Sequence, residues 1–386
     1  MSGLVDGDLT EELVALRHRL HQEPEAAFDV EQTASVVAAT LDGAGFEVTE
    51  GVGRSGLVAT LRLGDSPRSV GLRAELDALP ITEAGDLPYR SRRPGAFHGC
   101  GHDGHVAMLV GAGLLLARRT GFDGTLHLVF QPDEENGRGA LAMIEDSLFE
   151  RFPMEAIHGL HNLPGLEVGR FAFQAGPMAA FEENFEIRLD GRGGHSSMPE
   201  LAADPLVAAA EIVTALQTVV ARALPPREHG VVSMTELITD GARNIIPTHV
   251  VLRGDTRGYT NEVSKVMQAR IRQIVEGVSR AHGIEAHVTY ERSFEPVVNT
   301  EEDTAAATAV ARTVTGASVD AAFGRMAFSE DFGQMLDRSR GCMALLGNGR
   351  DPDAPQLHSP AYDFNDDAIP FGVEYWVRLV ESLLES

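Results

Sequence analysis

Three histidines and a thiol stand within eight residues, at His98, Cys100, His102 and His105, with Asp103 among them and glycines at Gly99, Gly101 and Gly104. Thiolate and imidazole are borderline-soft donors suited to zinc, manganese or nickel, and the glycines let the backbone fold tightly around them. Taken alone, the cluster also admits the reading of a knot of hydrogen-bonded histidines. Other positions change that reading. Glu134 and Glu135 follow the apolar run LHLVFQ and Pro132. Neighbours at a strand's end point in different directions, so one carboxylate can bind a metal while the other handles a proton. His161 follows the apolar run Ala156 to Leu160, and His358 sits in QLHSP after an apolar strand and a Gly-rich loop. Each histidine singly is more often structural; four strand-end positions offering ligand types together point to a metal centre.

These positions need a scaffold, and the hydrophobic periodicity supplies one. Asp8 to Leu20, Glu31 to Ala44 and Gly104 to Arg119 read as helices; Gly56 to Leu63, Ser69 to Leu76 and Thr125 to Gln131 read as strands. Such alternation predicts a helix-covered α/β sheet, whose sites gather at the strands' carboxyl ends. From about Phe181 the rhythm changes. Strands are expected at Asn184 to Asp190, Gly230 to Ile238, His249 to Arg257 and Glu285 to Tyr290, with helices at Asp204 to Arg222 and Asn261 to His282. After Pro296 the alternation resumes with helix Glu301 to Thr315, strand Gly341 to Leu346 and helix Asp366 to Leu384. The expected architecture is an α/β catalytic domain in two parts, 1–180 and 295–386, interrupted by a smaller α+β domain over 181–294.

Composition narrows the partners. The 386 residues are 43% hydrophobic and 23% charged, with a formal net charge of −25, so the average surface repels nucleic acid and anionic membranes. The longest uncharged apolar stretch, Val106 to Ala117, is far short of the ~20 residues a membrane helix needs. The N-terminal segment is acidic where a secretory signal is basic and then apolar, so a cytoplasmic address is expected. Two cysteines, Cys100 and Cys342, are too few for a disulfide framework and favour metal binding or catalysis.

Read along its length, the chain resembles the co-catalytic metallopeptidases that include aminoacylases, hippurate hydrolases and indole-acetyl-amino-acid hydrolases. The resemblance is carried by RHRLHQEPE (Arg17 to Glu25), GLRAELDALPI (Gly71 to Ile81), HGCGHDGH (His98 to His105), FQPDEENGRGA (Phe130 to Ala140) and GLHNLPG (Gly159 to Gly165). GRGGHSSMP (Gly191 to Pro199), NIIP (Asn244 to Pro247), SEDF (Ser329 to Phe332) and LHSPAYDFND (Leu357 to Asp366) extend it in the same order. It implies two divalent metal ions, zinc, manganese or nickel, held by Cys100, His102, Glu135, His161 and His358, with Cys100 bridging. It further implies Glu134 as general base, His195 reaching across a dimer interface to stabilise the oxyanion, and Asn244 and Arg257 holding the substrate carboxylate. Asp77, Asp103 and Asp331 would orient ligands, and the inserted domain would be both lid and dimer interface.

The implied reaction is hydrolysis of N-acyl amino acids or similar amide conjugates, small molecules, to a carboxylate and a free amine. An exopeptidase cleaving dipeptides is the near alternative, because both substrates place a carboxylate beside the scissile amide. A metal-containing binding protein without turnover is a third reading, opposed by the retention of Glu134. Ser196 and Ser197 lack the G-x-S-x-G elbow of a serine hydrolase. Glu75, Asp133 and Glu200 depart from the pattern, where relatives carry Asp, Ala and His; the first two are expected to add negative charge near the metals.

Overall fold

The apolar strands of the first half assemble around a parallel core. In the computed structural model, which describes residues 3–351 and 353–385, the first elements are helices α1 (Gly7–Gln22) and α2 (Glu31–Asp42) and strands β1 (Glu47–Val52), β2 (Gly56–Leu63) and β3 (Ser69–Glu75). Helix α3 (His102–Arg119) and strands β4 (Gly124–Gln131) and β5 (Ala156–Leu163) come next. Among the described residues the large sheet has eight strands, with β4, β3, β5 and Arg340–Gly347 side by side at its centre. These four run parallel: Val70 pairs with Leu126 on one side and Ala156 on the other, and Cys342 pairs with His158. β1 and β2 extend the sheet antiparallel beyond β4. Parallel strands share one carboxyl edge, so the loops after Glu75, Gln131 and Gly347 converge there with the end of β5.

Near-continuous apolar runs let these strands be covered on both faces. Leu72, Leu126, Leu128, Leu160 and Leu346 join Val106, Leu109, Val110, Trp376 and Val377 in one core. Each such fully buried side chain contributes about 1.5–3 kcal/mol by transfer from water. Helix α1 starts at Asp6, whose carboxylate accepts from Leu9 N–H at 2.9 Å.

Two boundaries differ from the expected ones for local physical reasons. Helix α3 begins at His102 rather than Gly104, because Gly101 turns the chain into it at φ +88°; a Cβ there would lie 2.5 Å from Asn162 Nδ2. The run expected as one helix over Asp204 to Arg222 divides into Pro205–Leu216 and Thr218–Ala223, where Gln217 N–H bonds Thr214 O at 3.3 Å in a tightened turn.

The chain forms two compact units. One comprises the chain up to Met178, Val298–Arg325 and everything from Asp331; the other comprises Ala179–Val297 with the short segment Met326–Glu330. In the second unit the strands Gly230–Thr239, His249–Gly258, Phe181–Asp190 and Glu285–Phe294 form an antiparallel sheet in that spatial order. Phe185, Ile187 and Leu189, alternating along their strand, pack on Ala208 and Ile212 of one helix and Met267 and Ile271 of another. Among the described residues no helix is long and apolar enough to cross a membrane.

One buried histidine gives this fold an acid limit. His127 on β4 accepts from the Thr60 hydroxyl at 2.9 Å through Nδ1 and donates to Pro153 O at 3.2 Å through Nε2–H. Burial pushes its pKa down to about 4, against the opposing pull of the Pro153 carbonyl. The folded value lies below the unfolded one, so the stabilisation is complete above pH 6.5 and is lost as pH falls from there towards 4, by on the order of 3 kcal/mol. The slope of melting temperature against pH over that window is expected to flatten in His127→Gln relative to the parent. Equal slopes would assign the acid sensitivity elsewhere.

Candidate metal centre

The carboxyl edge of the parallel strands brings five sequence-predicted ligands together. Cys100 precedes α3, His102 opens it, Glu135 follows β4, His161 lies near the end of β5, and His358 stands in the loop beyond Arg340–Gly347. The donor atoms of Cys100, His102 and His161 lie within 4.8 Å of one another, as do those of Cys100, Glu135 and His358. Cys100 belongs to both groups. Its Sγ is 3.4 Å from His161 Nε2, and Glu135 Oε2 is 3.3 Å from His358 Nε2.

Hydrogen bonds to the other ring nitrogen select which histidines can ligate. His102 Nδ1–H donates to Asp77 O at 2.8 Å and His161 Nδ1–H to Asn162 O at 2.7 Å, so each presents Nε2 with a lone pair. His102 Nε2 is buried with no hydrogen-bond partner, 3.9 Å from Glu134 Oε2 and 4.0 Å from Glu135 Oε1. A buried acceptor left this way is costly unless a cation or proton meets it. Burial also holds the His102 pKa well below its usual range, keeping the neutral form that binds metal. His105 is different: Nδ1–H donates to Glu75 Oε2 at 2.7 Å and Nε2 accepts from Asn162 N–H at 3.0 Å, which occupies both nitrogens. The thiolate, imidazole and carboxylate donors thus fit divalent cations such as zinc or manganese.

Charge around the site is arranged in layers. Asp77 is fully buried, and burial, with Asp331 and Asp133 nearby, pushes its carboxyl up to about 8 against hydrogen bonds from the Glu134 and Glu135 amides. Its Oδ1 lies 3.7 Å from His102 Nδ1, while its backbone oxygen takes the ring proton. Asp331 accepts from Arg73 Nη2 at 2.9 Å, Gln131 Nε2 at 2.7 Å and Ala140 N at 2.9 Å. Asp103 accepts from Arg17 Nε at 2.8 Å and pairs with His21 at 2.8 Å. The extra charge expected of Glu75 is compensated in place. Although burial opposes its ionisation, Arg73 and His105 hold the Glu75 pKa well below the usual range. Asp133 is held at φ +47° and accepts from Asn136 Nδ2 at 2.5 Å, with burial raising its pKa.

His195, Asn244 and Arg257 lie in the second unit. His195 pairs with Ile245 in a two-stranded ribbon, and Asn244 O accepts from Ser196 N–H at 3.1 Å, so these two sit together. His195 is exposed, with Nδ1 accepting from the Ser197 hydroxyl at 2.7 Å. Arg257 is engaged by Glu182 at 2.6 Å, Asp255 at 3.0 Å and Ser329 Oγ at 3.1 Å. The sequence reading missed Asn162, which donates to Cys100 O at 2.6 Å and accepts from Tyr362 Oη at 2.5 Å. Its position directly after His161 was the available signal.

Known proteins resemble this chain over most of its length. The profile of peptidase family M20/M25/M40 matches residues 71–382. A hippurate hydrolase of Campylobacter jejuni is 37% identical over 98% of each chain. An N-acetyl-L-cysteine deacetylase of Bacillus subtilis is 31% identical, over 98% of this chain and 89% of its own. A solved Bacillus subtilis structure, described as a dinuclear metal-binding peptidase of the M20 family, superposes with a TM-score of 0.87 at 27% identity, covering 98% of this chain and 99% of that one.

Proposed function

This chain belongs to peptidase family M20/M25/M40 and is a hydrolase of amide bonds; on that premise we propose that it cleaves N-acyl amino acids or related amide conjugates to a carboxylate and a free amine. The observation that carries the reading is the pair of donor groups sharing Cys100, with Glu134 beside His102. Cys100, His102 and His161 would hold one divalent ion, and Cys100, Glu135 and His358 a second. When bound, two such ions supply Lewis acidity that polarises the amide carbonyl and lowers the pKa of water.

Glu134, 7% exposed and on the strand-end loop next to Glu135, takes the proton of the attacking water at a carboxylate oxygen and delivers it to the leaving nitrogen. Asp77 and Asn162 hold His102 and His161 in the tautomer that faces the site. The second unit is the lid and the surface of a homodimer in this reading, with His195 donating to the oxyanion of a neighbouring subunit's site. Asn244 holds the substrate carboxylate. Arg257 joins it only by exchanging Glu182 or Asp255 for the substrate, since a guanidinium fork suits either carboxylate.

The test is a panel of N-acetyl, N-benzoyl and indole-acetyl amino acids together with dipeptides, assayed on chelator-stripped protein given zinc, manganese or nickel. Turnover of acyl amino acids that disappears on stripping and returns with metal is the expected result. Turnover confined to dipeptides would replace this reading with an exopeptidase, and none at all with two ions bound would favour a binding protein.

A further inference from the structure

The run from Arg17 to Glu25 has no part in the chemistry above, yet Arg17 is fully buried on α1. Its guanidinium meets three carboxylates from two segments of the chain. Nε donates to Asp103 Oδ2 at 2.8 Å, Nη2 to Asp363 Oδ1 at 2.5 Å and Nη1 to Asp366 Oδ1 at 3.4 Å. Asp103 directly follows His102 and accepts from Gly104 N–H at 3.0 Å. Beyond His358, Asp363 lies in the loop that carries it and Asp366 opens the short 3-10 turn Asp366–Ala368 that ends this loop.

The two arms joined by Arg17 differ in burial and regularity. Cys100, His102 and His161 are buried on or beside regular elements. His358 stands in an irregular loop at φ +65° with its side chain 53% exposed, a conformation that persists only when its surroundings enforce it. Its backbone N–H reaches Gly99 O at 2.8 Å, and downstream Pro360 O accepts from Ala84 N–H at 2.8 Å, Tyr362 Oη donates to Asn162 and Tyr89 Oη to Asp363 Oδ2 at 2.8 Å. Three carboxylates brought this close would drive the arms apart without a cation between them. A planar fork meets all three with fixed donor directions, a geometry that a compact ammonium does not reproduce.

We propose that Arg17 is a positioning residue for the metal centre: by joining Asp103 to Asp363 it fixes the His358 arm against the Cys100–His102 segment and so sets the affinity of the one metal position that needs His358. The inference rests on the two-metal reading above. Its consequence is selective, because His102 keeps its own bond to Asp77 O and His161 its own to Asn162 O.

The experiment titrates stripped protein with zinc against a competing chelator, for the parent chain, Arg17→Lys and Asp363→Asn, with melting curves to confirm folding. Asp363 is 34% exposed, so its neutral isostere tests the clamp without leaving a deeply buried charge unpaired. The parent is expected to bind two ions; both variants should keep the ion of the Cys100–His102–His161 group and bind the other about 10–100-fold more weakly. His358→Ala should weaken the same ion, and excess zinc should restore turnover in the two clamp variants but not in His358→Ala. Unchanged binding of both ions, or equal weakening of both, in the folded variants would overturn the proposal. A parent chain that binds fewer than two ions would overturn the two-metal reading itself, a failure visible before any variant is compared.

Discussion

Glu134→Gln is expected to retain both metal ions and lose about 10²–10⁴-fold in turnover, the range that a positioned proton-transfer group contributes. The expectation follows from placement. Glu134 lies beside Glu135 where β4 ends, 3.9 Å from the nitrogen His102 presents, yet the two overlapping donor groups that share Cys100 are complete without it. The amide isostere keeps the shape and removes the basic oxygen, so metal content measured with kcat separates base from ligand. A fully active variant would exclude the role; loss of one metal together with activity would make Glu134 a ligand. The same position tests whether a site is shared between subunits. Mixing inactive Glu134→Ala with inactive His195→Ala chains should recover part of the activity, whereas none after verified subunit exchange would confine each site to one chain.

Cys100→Ala is expected to remove or scramble both metal positions, because its sulfur is the one donor common to both groups. Loss of a partner that only orients a ligand typically costs 10–100-fold in metal affinity, so loss of a bridging thiolate should exceed about a hundredfold. Stability should report the same event. An ion bound only by the folded state raises stability with its concentration, so adding zinc should raise the parent's melting temperature and leave that of Cys100→Ala nearly unchanged. Undiminished metal content in the variant would reduce Cys100 to a packing residue beside His161.

The fold was legible wherever periodicity was strong. Strand Gly56–Leu63 and helix Asn261–His282 match the expected ends, since one is a bounded apolar run and the other is opened by Thr260, whose side chain accepts from Val263 N–H, and closed by Gly283 at φ +63°. Less legible were elements whose signal is shorter than a period. The three-residue strands Arg170–Ala172 and Ser318–Asp320 exist by pairing with each other at the sheet's edge, a non-local cause. Likewise, the return of Met326–Glu330 to the second unit rests on Ala180 N–H bonding Phe328 O at 3.0 Å, across a long separation in sequence.

For the site, donor types at strand ends were enough to point to a metal centre, because metal chemistry restricts which side chains can serve and strand ends restrict where they gather, while the set Cys100, His102, Glu135, His161 and His358 came from the family resemblance. What residue type alone left open was the choice among His98, His102 and His105, three identical side chains in one short run. Between His102 and His105 that choice is made by their second nitrogens, whereas His98, with both nitrogens buried and without hydrogen-bond partners, falls in no candidate donor group among the described residues. Asp77 O leaves His102 Nε2 available, while Glu75 and Asn162 take both nitrogens of His105. The partners come from β3, β5 and the loops after them, which only the folded sheet brings together. The same holds for Arg17, an ordinary helix residue by its local pattern, which tertiary structure alone sets among Asp103, Asp363 and Asp366. Residue type and spacing carry the chemistry a chain is capable of; hydrogen-bond geometry between distant segments decides which of the equivalent groups are free to perform it.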